Sequence, residues 1–535
     1  MKEQENKILQ VLDMNSEGIG ICKDNGMVIF VPGTVTGDTI EAEILSVEKN
    51  YAKAACRRIL TGSPYRREPE CPCYQTCGGC TLGHVTREKE LNIKENTVRQ
   101  AFRRMHLAED DSVFRPIRAG KETGYRNKAV FHADERGTIG YYARESHTVV
   151  GGSPRCRLLP EIFQNIAITM ETCLEEWPGD LPLKSLYLRR NEENKCTVCL
   201  ETKEPLNPKL QDTLMFYTRL LCFHHGKDLA GVLHFYTPKG KYAVPEFTVL
   251  SGERYLYENF NGLTMRLSPE GFCQVNHEGA EILADTVLQF AKMKAGDGAK
   301  TAADLYCGSG FFGLQLAKAF TDWQVYGIEI NPESIKDAEV NKALNRLENI
   351  TFTCGDAAEG QKKIGRRPDF LVIDPPRAGC SPAMCRQITE IGPEHIAYVS
   401  CSPHTLVRDL SRLCAAYRIE SVQPVDMFPG TEHVETVCLL SKLNTKQHIE
   451  VDIHMDELDL TDAEKKATYG EIKDYVLEHT GLKVSSLYIA QVKQKYGIIE
   501  RENYNKPKSE DARQPQCPPD KEKAIKEALL HFGMI

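Results

Sequence analysis

Apolar and polar positions change their period several times along this 535-residue chain, and each change marks an expected element. Short strand-forming runs at 20–22, 27–31, 39–44 and 51–54 are separated by Asp24-Asn25-Gly26, Pro32-Gly33 and Gly37-Asp38. Those residues suit tight turns, and the spacing predicts a small OB-like barrel. Residues 91–105 carry Ile93, Val98, Ala101 and Phe102 on a helix whose exposed side holds Arg99, Arg103 and Arg104. Residues 128–133 and 138–142 read as paired strands across Glu135-Arg136-Gly137, and 160–249 alternate helix-like and strand-like runs with no chemical motif. An amphipathic helix through Ala280, Leu283, Val287 and Phe290 precedes a strand, a glycine-rich turn and a helix start over 302–313. Beyond Leu440, helices are expected at 469–480, 487–496 and 521–531, with an acidic stretch at 452–464 and a polar linker at 507–519.

The expected fold is multidomain α/β. An OB-like β-barrel over 1–62 precedes a central α+β region over 63–260 that carries a cysteine cluster. A Rossmann-like domain then spans 261–445, with a mainly helical extension over 446–535.

A formal net charge of -8 gives no global basic field, so a nucleic-acid partner would have to be held locally. No acidic residue stands between Glu48 and Glu68, while Lys49, Lys53, Arg57, Arg58, Arg66 and Arg67 are interleaved with Tyr51 and Tyr65. That stretch is the expected docking place for a phosphate backbone. The first seven residues lack an apolar signal core, and no apolar run reaches membrane-spanning length. We therefore expect a cytoplasmic protein, in whose reducing surroundings clustered cysteines bind metal or do chemistry.

Of the 20 cysteines, four fall in Cys71-Pro72-Cys73-Tyr74-Gln75-Thr76-Cys77-Gly78-Gly79-Cys80. So dense a group suits a thiolate cage, and the spacing leaves zinc and iron–sulfur open. Cys196 and Cys199 sit three apart in a strand-like run, hence on opposite faces, and read as packing. Two other strand-like runs, Leu371-Val372-Ile373 and the one ending at Ser400, stop abruptly at Asp374-Pro375-Pro376 and Cys401-Ser402-Pro403. They deliver Asp374 and Cys401 to the edge of an α/β sheet where ligands bind. Glu329 follows the Gly308-Ser309-Gly310 turn by about twenty residues, placed for a ribose diol. Asp304 is a poor neighbour for a pyrophosphate and a good one for a cation, which favours an amino-acid-bearing nucleoside such as S-adenosylmethionine over a dinucleotide.

Taken in order, the motifs are Tyr125-Arg126-Asn127-Lys128, Gln274, the 304–310 turn, Glu329, Asp374-Pro375-Pro376-Arg377-Ala378-Gly379, Ser400-Cys401-Ser402-Pro403 and Phe428-Pro429-Gly430-Thr431-Glu432-His433-Val434-Glu435. This series, over residues 15–440, resembles the RNA uracil-5-methyltransferases. The resemblance implies S-adenosylmethionine as cofactor, contacted by Gln274, Tyr306, Glu329 and Asp374, with Cys401 as nucleophile and Glu435 as base, carried on the Pro429-Gly430 loop so that it reaches into the site; nearby Glu432 is the alternative. It implies a [4Fe-4S] cluster on Cys71, Cys77, Cys80 and Cys156, which leaves Cys73 outside the set. Phe311 stands where relatives often carry an asparagine, so one donor hydrogen bond is expected to be missing. The barrel resembles a TRAM domain that binds RNA. Cluster cysteines point toward the large ribosomal RNA, 23S rRNA, because the transfer-RNA branch typically lacks them. A monomer with no membrane partner is the expectation. The competing readings are a transfer-RNA uracil-5-methyltransferase, an RNA cytosine-5-methyltransferase and a silent RNA-binding protein. The cytosine class would place a cysteine where this chain has Arg377. His404 and Arg408 face either RNA or solvent.

Overall fold

Strands β1 (Asn6–Met14), β2 (Gly20–Asp24), β3 (Met27–Val31), β4 (Thr39–Val47) and β5 (Tyr51–Thr61) close into a barrel of order β1-β2-β3-β5-β4. Strand β3 runs parallel to β5 and the other neighbours are antiparallel. Alternate residues Leu9, Val11, Ile29, Val31, Ile40, Ala42, Ala52 and Ala54 fill it. This is the OB-like barrel expected, with β1 added ahead of the first turn signal. Several cations of the basic stretch are paired within the protein. Arg57 pairs with Glu43, Arg58 with Glu41 at 3.7 Å, Arg66 with buried Asp38 and Arg67 with Glu122 at 3.2 Å. Four of the six cations are thus answered by carboxylates scattered elsewhere in the sequence. Exposed Lys49 and Lys53 make no ion pair among the described residues.

This computed structural model describes residues 6–108, 110–175, 182–238, 245–294, 296, 300–360, 364–443, 469–496 and 517–531. The acidic stretch at 452–464 and most of the linker at 507–519 lie outside the described residues. Two compact units result, Met1–Asn444 and Thr445–Ile535. Among the described residues no helix is long and apolar enough to cross a membrane.

Helix α1 (Arg87–Arg104) buries Ile93, Val98, Ala101 and Phe102, as its periodicity predicts. Strand β6 (Arg118–Ala119) follows, then β7 (Lys128–Ala133), β8 (Ile139–Tyr142), β9 (Val149–Val150), α2 (Glu161–Glu175), β10 (Leu183–Arg190), β11 (Cys196–Thr202), α3 (Pro208–His225), β12 (Leu229–Tyr236) and β13 (Glu246–Gly252). Seven of these strands form a sheet of order β13-β12-β11-β10-β7-β8-β9. Helices α2 and α3 cover one face around Phe163, Ile166, Met170, Leu214 and Tyr217. Cys196 belongs to that core and Cys199 to the small cluster on the other face, so both are packing residues.

A hairpin of β14 (Leu256–Phe260) and β15 (Leu263–Leu267) leads to α4 (His277–Lys294). There follow β16 (Thr301–Leu305), α5 (Phe311–Ala319), β17 (Gln324–Glu329), α6 (Pro332–Leu344), β18 (Ile350–Cys354), β19 (Phe370–Ile373), α7 (Pro382–Ile391), β20 (His395–Ser400), α8 (Pro403–Leu413), β21 (Tyr417–Asp426) and β22 (Glu435–Lys442). The sheet order is β18-β17-β16-β19-β20-β22-β21-β6, and β22 alone in the β16–β22 series runs antiparallel to its neighbours. The chain leaves β16 first toward β17 and β18 and later returns to β19 on the other side. The resulting crevice at the carboxyl ends of β16 and β19 is the ligand position of an open α/β sheet. In the second unit, α9 (Tyr469–Thr480), α10 (Ser486–Lys495) and α11 (Pro519–His531) pack around Ile472, Val476, Ile489, Val492, Ile525 and Leu529.

Candidate active site

Strand β20 ends at Ser400 and α8 begins at Pro403, so Cys401 sits in the gap between them, where the Ser402 hydroxyl caps the helix by accepting from Thr405 N–H. The β20/β22 register pairs Ser400 with Thr436, the immediate chain neighbours of Cys401 and Glu435, and the Glu435 charge reaches the Cys401 thiol. Glu435 is the first residue of β22 and buried, whereas the motif had suggested a base carried on the loop. Burial pushes its carboxyl up to about 8, and the Asp374 carboxylate adds to the shift. Asp374 is itself raised to about 7 by burial. The Cys401 thiol is raised to about 11, first by burial and then by Glu435 and Asp374, with the Arg377 guanidinium opposing them. Thiol, two carboxyls and one guanidinium therefore feel one another's charge. The rival base Glu432 is engaged elsewhere, accepting from the Thr81 hydroxyl at 2.5 Å.

The Asp374–Cys380 turn is braced from α8. Asp409, fully buried, accepts from Cys380 N–H at 2.7 Å and from the Tyr398 hydroxyl at 2.8 Å. Arg408 donates to the Ala378 carbonyl at 2.7 Å and to Asp409 at 2.9 Å, so this residue holds the turn. Gly379 closes the turn at φ 74°, where an added Cβ would stand 2.4 Å from Asp409 Oδ2. His404 is exposed. Arg377 and Asp409 carry roles that sequence reasoning missed; position next to Pro-Pro signals the first, and nothing local signals the second.

On the donor side, Glu329 and Asp374 directly follow Ile328 and Ile373, the residues that flank Leu305 in the sheet. Glu329 accepts from Gly308 N–H at 3.2 Å and Asn331 N–H at 2.8 Å, which aims it along the glycine turn. Gly310 at φ 90° lies against Phe352, where a Cβ would meet the ring at 2.7 Å. Asp304 is buried, with one oxygen accepting from Gly313 N–H at 2.7 Å and the other unpartnered. Burial and then the Asp374 and Glu329 carboxylates push it up to about 8. A cation entering the crevice would relieve all three. Tyr306 adopts φ 64°, and its ring packs on the apolar cluster beneath α7 and α8. The Gln274 carbonyl accepts from Asn127 Nδ2 at 2.8 Å, tying this loop to the Tyr125–Lys128 segment, while neighbouring Phe272 is 68% exposed. Phe311 turns edge-on to Phe260 and joins the core, so it contributes no polar group to the crevice.

Among the cysteines, the chain brings Cys156 to the 71–80 loop. The Cys80 thiol is pushed up to about 12, first by burial and then by Cys156, with Cys77 and Cys71 adding; Arg126 opposes them. Cys73 instead donates to the Gly151 carbonyl at 3.5 Å. Around the other four thiols, Tyr141 Oη is buried without a hydrogen-bond partner, while Tyr125 and Arg126 are hydrogen-bonded to each other. A buried donor left without a partner calls for an acceptor, which an anionic metal–thiolate group provides and neutral thiols do not. Among the described residues, the one trio of metal-type ligand atoms within 4.8 Å of one another is Glu192, Glu258 and His277. His277 lies 3.7 Å from Glu258 and 3.5 Å from Glu281, and these carboxylates raise its pKa, so the group is an ionic cluster.

A family model described as tRNA (uracil-5-)-methyltransferase matches residues 255–443. An RNA methyltransferase of Bacillus cereus is 33% identical over 462 residues, 82% of this chain and 98% of its own length. Another, from Caldanaerobacter subterraneus, is 32% identical over 455 residues, 81% of this chain and 98% of its own. The crystal structure of Pyrococcus abyssi tRNA (uracil-54, C5)-methyltransferase in complex with S-adenosyl-L-homocysteine matches at TM-score 0.62 and 25% identity, over 81% of this chain and 99% of that one. With sheet order, crevice and motif series in agreement, the chain belongs to the RNA uracil-5-methyltransferase family.

Proposed function

We propose that this chain methylates uridine C5 in RNA, with S-adenosylmethionine as donor and 23S rRNA as substrate, through a covalent bond between Cys401 and uracil C6. The observation that carries the reading is the meeting of Cys401, Glu435, Asp374 and Arg377 at the carboxyl edge of the sheet. Uracil C5 is too weak a nucleophile to accept a methyl group unaided. S-adenosylmethionine supplies a sulfonium methyl group. Cys401 gives up its thiol proton to solvent, the thiolate bonds to C6, and the displaced ring electron pair makes an enolate whose C5 takes the methyl group as the methyl–sulfonium bond breaks and S-adenosylhomocysteine leaves. Glu435 then removes the C5 hydrogen as a proton, the C5–C6 double bond re-forms and the thiolate leaves. Gln274, Tyr306, Glu329 and Asp374 hold the donor, and Asp304 and Asp374 offset its positive charge.

The target base has to be unstacked to reach Cys401. We assign the gripping of RNA to the barrel, read as a TRAM domain over 1–62, and to the central region over 63–260. Exposed Phe272 offers a stacking surface beside Gln274. Residues 261–445 form the methyl-transfer domain, and 446–535 carry no assigned activity. Cys71, Cys77, Cys80 and Cys156 would hold the [4Fe-4S] cluster. A zinc tetrahedron with Zn–S of about 2.3 Å needs sulfurs about 3.8 Å apart. No three of these sulfurs lie within 4.8 Å, which supports the wider cluster. Protein purified without oxygen should contain iron and sulfide; stoichiometric zinc would refute the assignment.

Glu435→Gln should trap a denaturant-resistant enzyme–RNA adduct, and Cys401→Ala should abolish both adduct and methyl transfer while S-adenosylmethionine still binds. Turnover by the alanine variant would remove Cys401 from the chemistry. Transfer RNA is a second reading, favoured by the likeness to the Pyrococcus abyssi tRNA enzyme. Mass mapping of ribosomal and transfer RNA from cells lacking this protein decides between the two.

A further inference from the structure

Residues 427–434 connect β21 to Glu435, and they are fastened by residues more than three hundred positions away in the sequence. The Gly430 N–H donates to Glu90 Oε1 at 2.6 Å, and the Gly430 carbonyl accepts from Thr81 N–H at 3.1 Å and Leu82 N–H at 3.0 Å. Lys94 Nζ donates to the Phe428 carbonyl at 3.0 Å, to Glu90 Oε1 at 2.9 Å and to Asp426 Oδ1 at 2.6 Å. These three bonds use all three ammonium protons. Asp426 Oδ1 accepts from Phe428 N–H at 3.2 Å, and Arg87 completes the group by pairing with Glu90 at 3.1 Å and with Asp426.

The side chains of Glu90, Lys94 and Asp426 are 0% exposed. Two cations balance two anions, so the group is neutral as a whole. A buried ionic group of this sort adds little stability over an apolar contact of equal volume. What it adds is direction, because each bond ends on a particular backbone atom of the loop. An apolar joint between α1 and the sheet would leave the Phe428 and Gly430 peptides free to rotate.

We propose that Glu90 and Lys94 are positioning residues that hold the Phe428–Val434 loop so that Glu435 faces Cys401. The proposal rests on the reading of Glu435 as the base. It assigns α1, which lies outside the methyl-transfer domain, a part in the proton-removal step.

The test is E90Q/K94M in the full chain. It removes one charge of each sign, leaves Arg87 facing Asp426 and keeps an acceptor near Gly430. We expect S-adenosylmethionine binding and the KM for RNA to stay within about twofold, while kcat falls by about a hundredfold, the scale of a 1 Å misplacement. The covalent RNA adduct should accumulate as it does in E435Q. A merely structural joint would lower thermal stability without raising the adduct fraction, and that outcome overturns the proposal. So does a kcat within about twofold of the parent. If the double variant fails to fold, K94R decides, since it keeps the charge but moves the donors off the Phe428 carbonyl. It should show a smaller kcat loss with the same adduct, and K94R turnover without adduct counts against the clamp. Absence of adduct in E435Q would instead refute the base assignment, whatever the clamp variants do.

Discussion

Burial sets the Cys401 thiol at about 11 and the Glu435 carboxyl at about 8, so at pH 7 each holds its proton most of the time. Glu435 adds to the rise of the thiol, and Asp374 to that of Glu435. A base must be ionised to act, so adduct resolution should speed up as pH rises toward about 8 and level off above it, close to tenfold per pH unit on the acid limb. Single-turnover rates from about pH 6 to pH 9 check this, and a flat profile would take Glu435 out of the rate-limiting step. Cys401 and Asp374 were legible in the sequence because strand formers stop abruptly before Pro403 and Pro375. Arg377 was visible only as the residue that is not cysteine. Its effect on the thiol depends on how the turn is held by Arg408 and Asp409, and no local pattern announces that. Choosing between Glu435 and Glu432 by their surroundings needed space as well, since the tie from Thr81 to Glu432 joins residues 351 positions apart.

The glycine turn after β16 depends on a neighbour in α6. Asn341, fully buried, accepts from Arg266 N–H at 2.6 Å and donates to the Ser309 carbonyl at 3.1 Å, joining β15 to the turn. Asn341→Ala should cost about 1–2 kcal/mol in denaturant unfolding, because two part-buried backbone groups lose their partner. It should also weaken S-adenosylmethionine binding by calorimetry, because Ser309 would lose its anchor; unchanged affinity would show that the turn stands alone. Elements with a strong period were readable, among them α1, β7 and the helices of the second unit. Strand β1 was not, because Asn6–Met14 precedes any turn residue that would delimit it. The pairing of the basic stretch was hidden for a related reason: its counter-charges, Asp38, Glu41, Glu43 and Glu122, come from other strands and a distant loop.

Three carboxyls at one sheet edge, Asp304 and Glu435 buried and Asp374 half-buried, also affect the whole molecule. Asp304 and Glu435 sit at about 8 and Asp374 at about 7, all above the range of an unfolded carboxyl. A raised carboxyl contributes stability below its unfolded pKa and loses it as pH climbs through the folded value. Histidines held low, such as His84 at about 4, act in the opposite sense only below about pH 6.5. Between about pH 6.5 and 8, therefore, the ligand-free protein should lose thermal stability, and S-adenosylmethionine should restore more at pH 8 than at pH 6.5. Scanning calorimetry at both values measures it; equal stabilisation would mean that the donor's charge is not what these carboxyls meet.

Strand β22 is the last of the sheet to be made, yet it lies between β20 and β21. Until residue 442 has left the ribosome, the nascent chain presents two open strand edges facing a gap, and Glu435 has no strand to hold it beside Cys401. Synthesis thus leaves Cys401 without Glu435 until that slot is filled, and the two unfilled edges are the ones most open to mispairing.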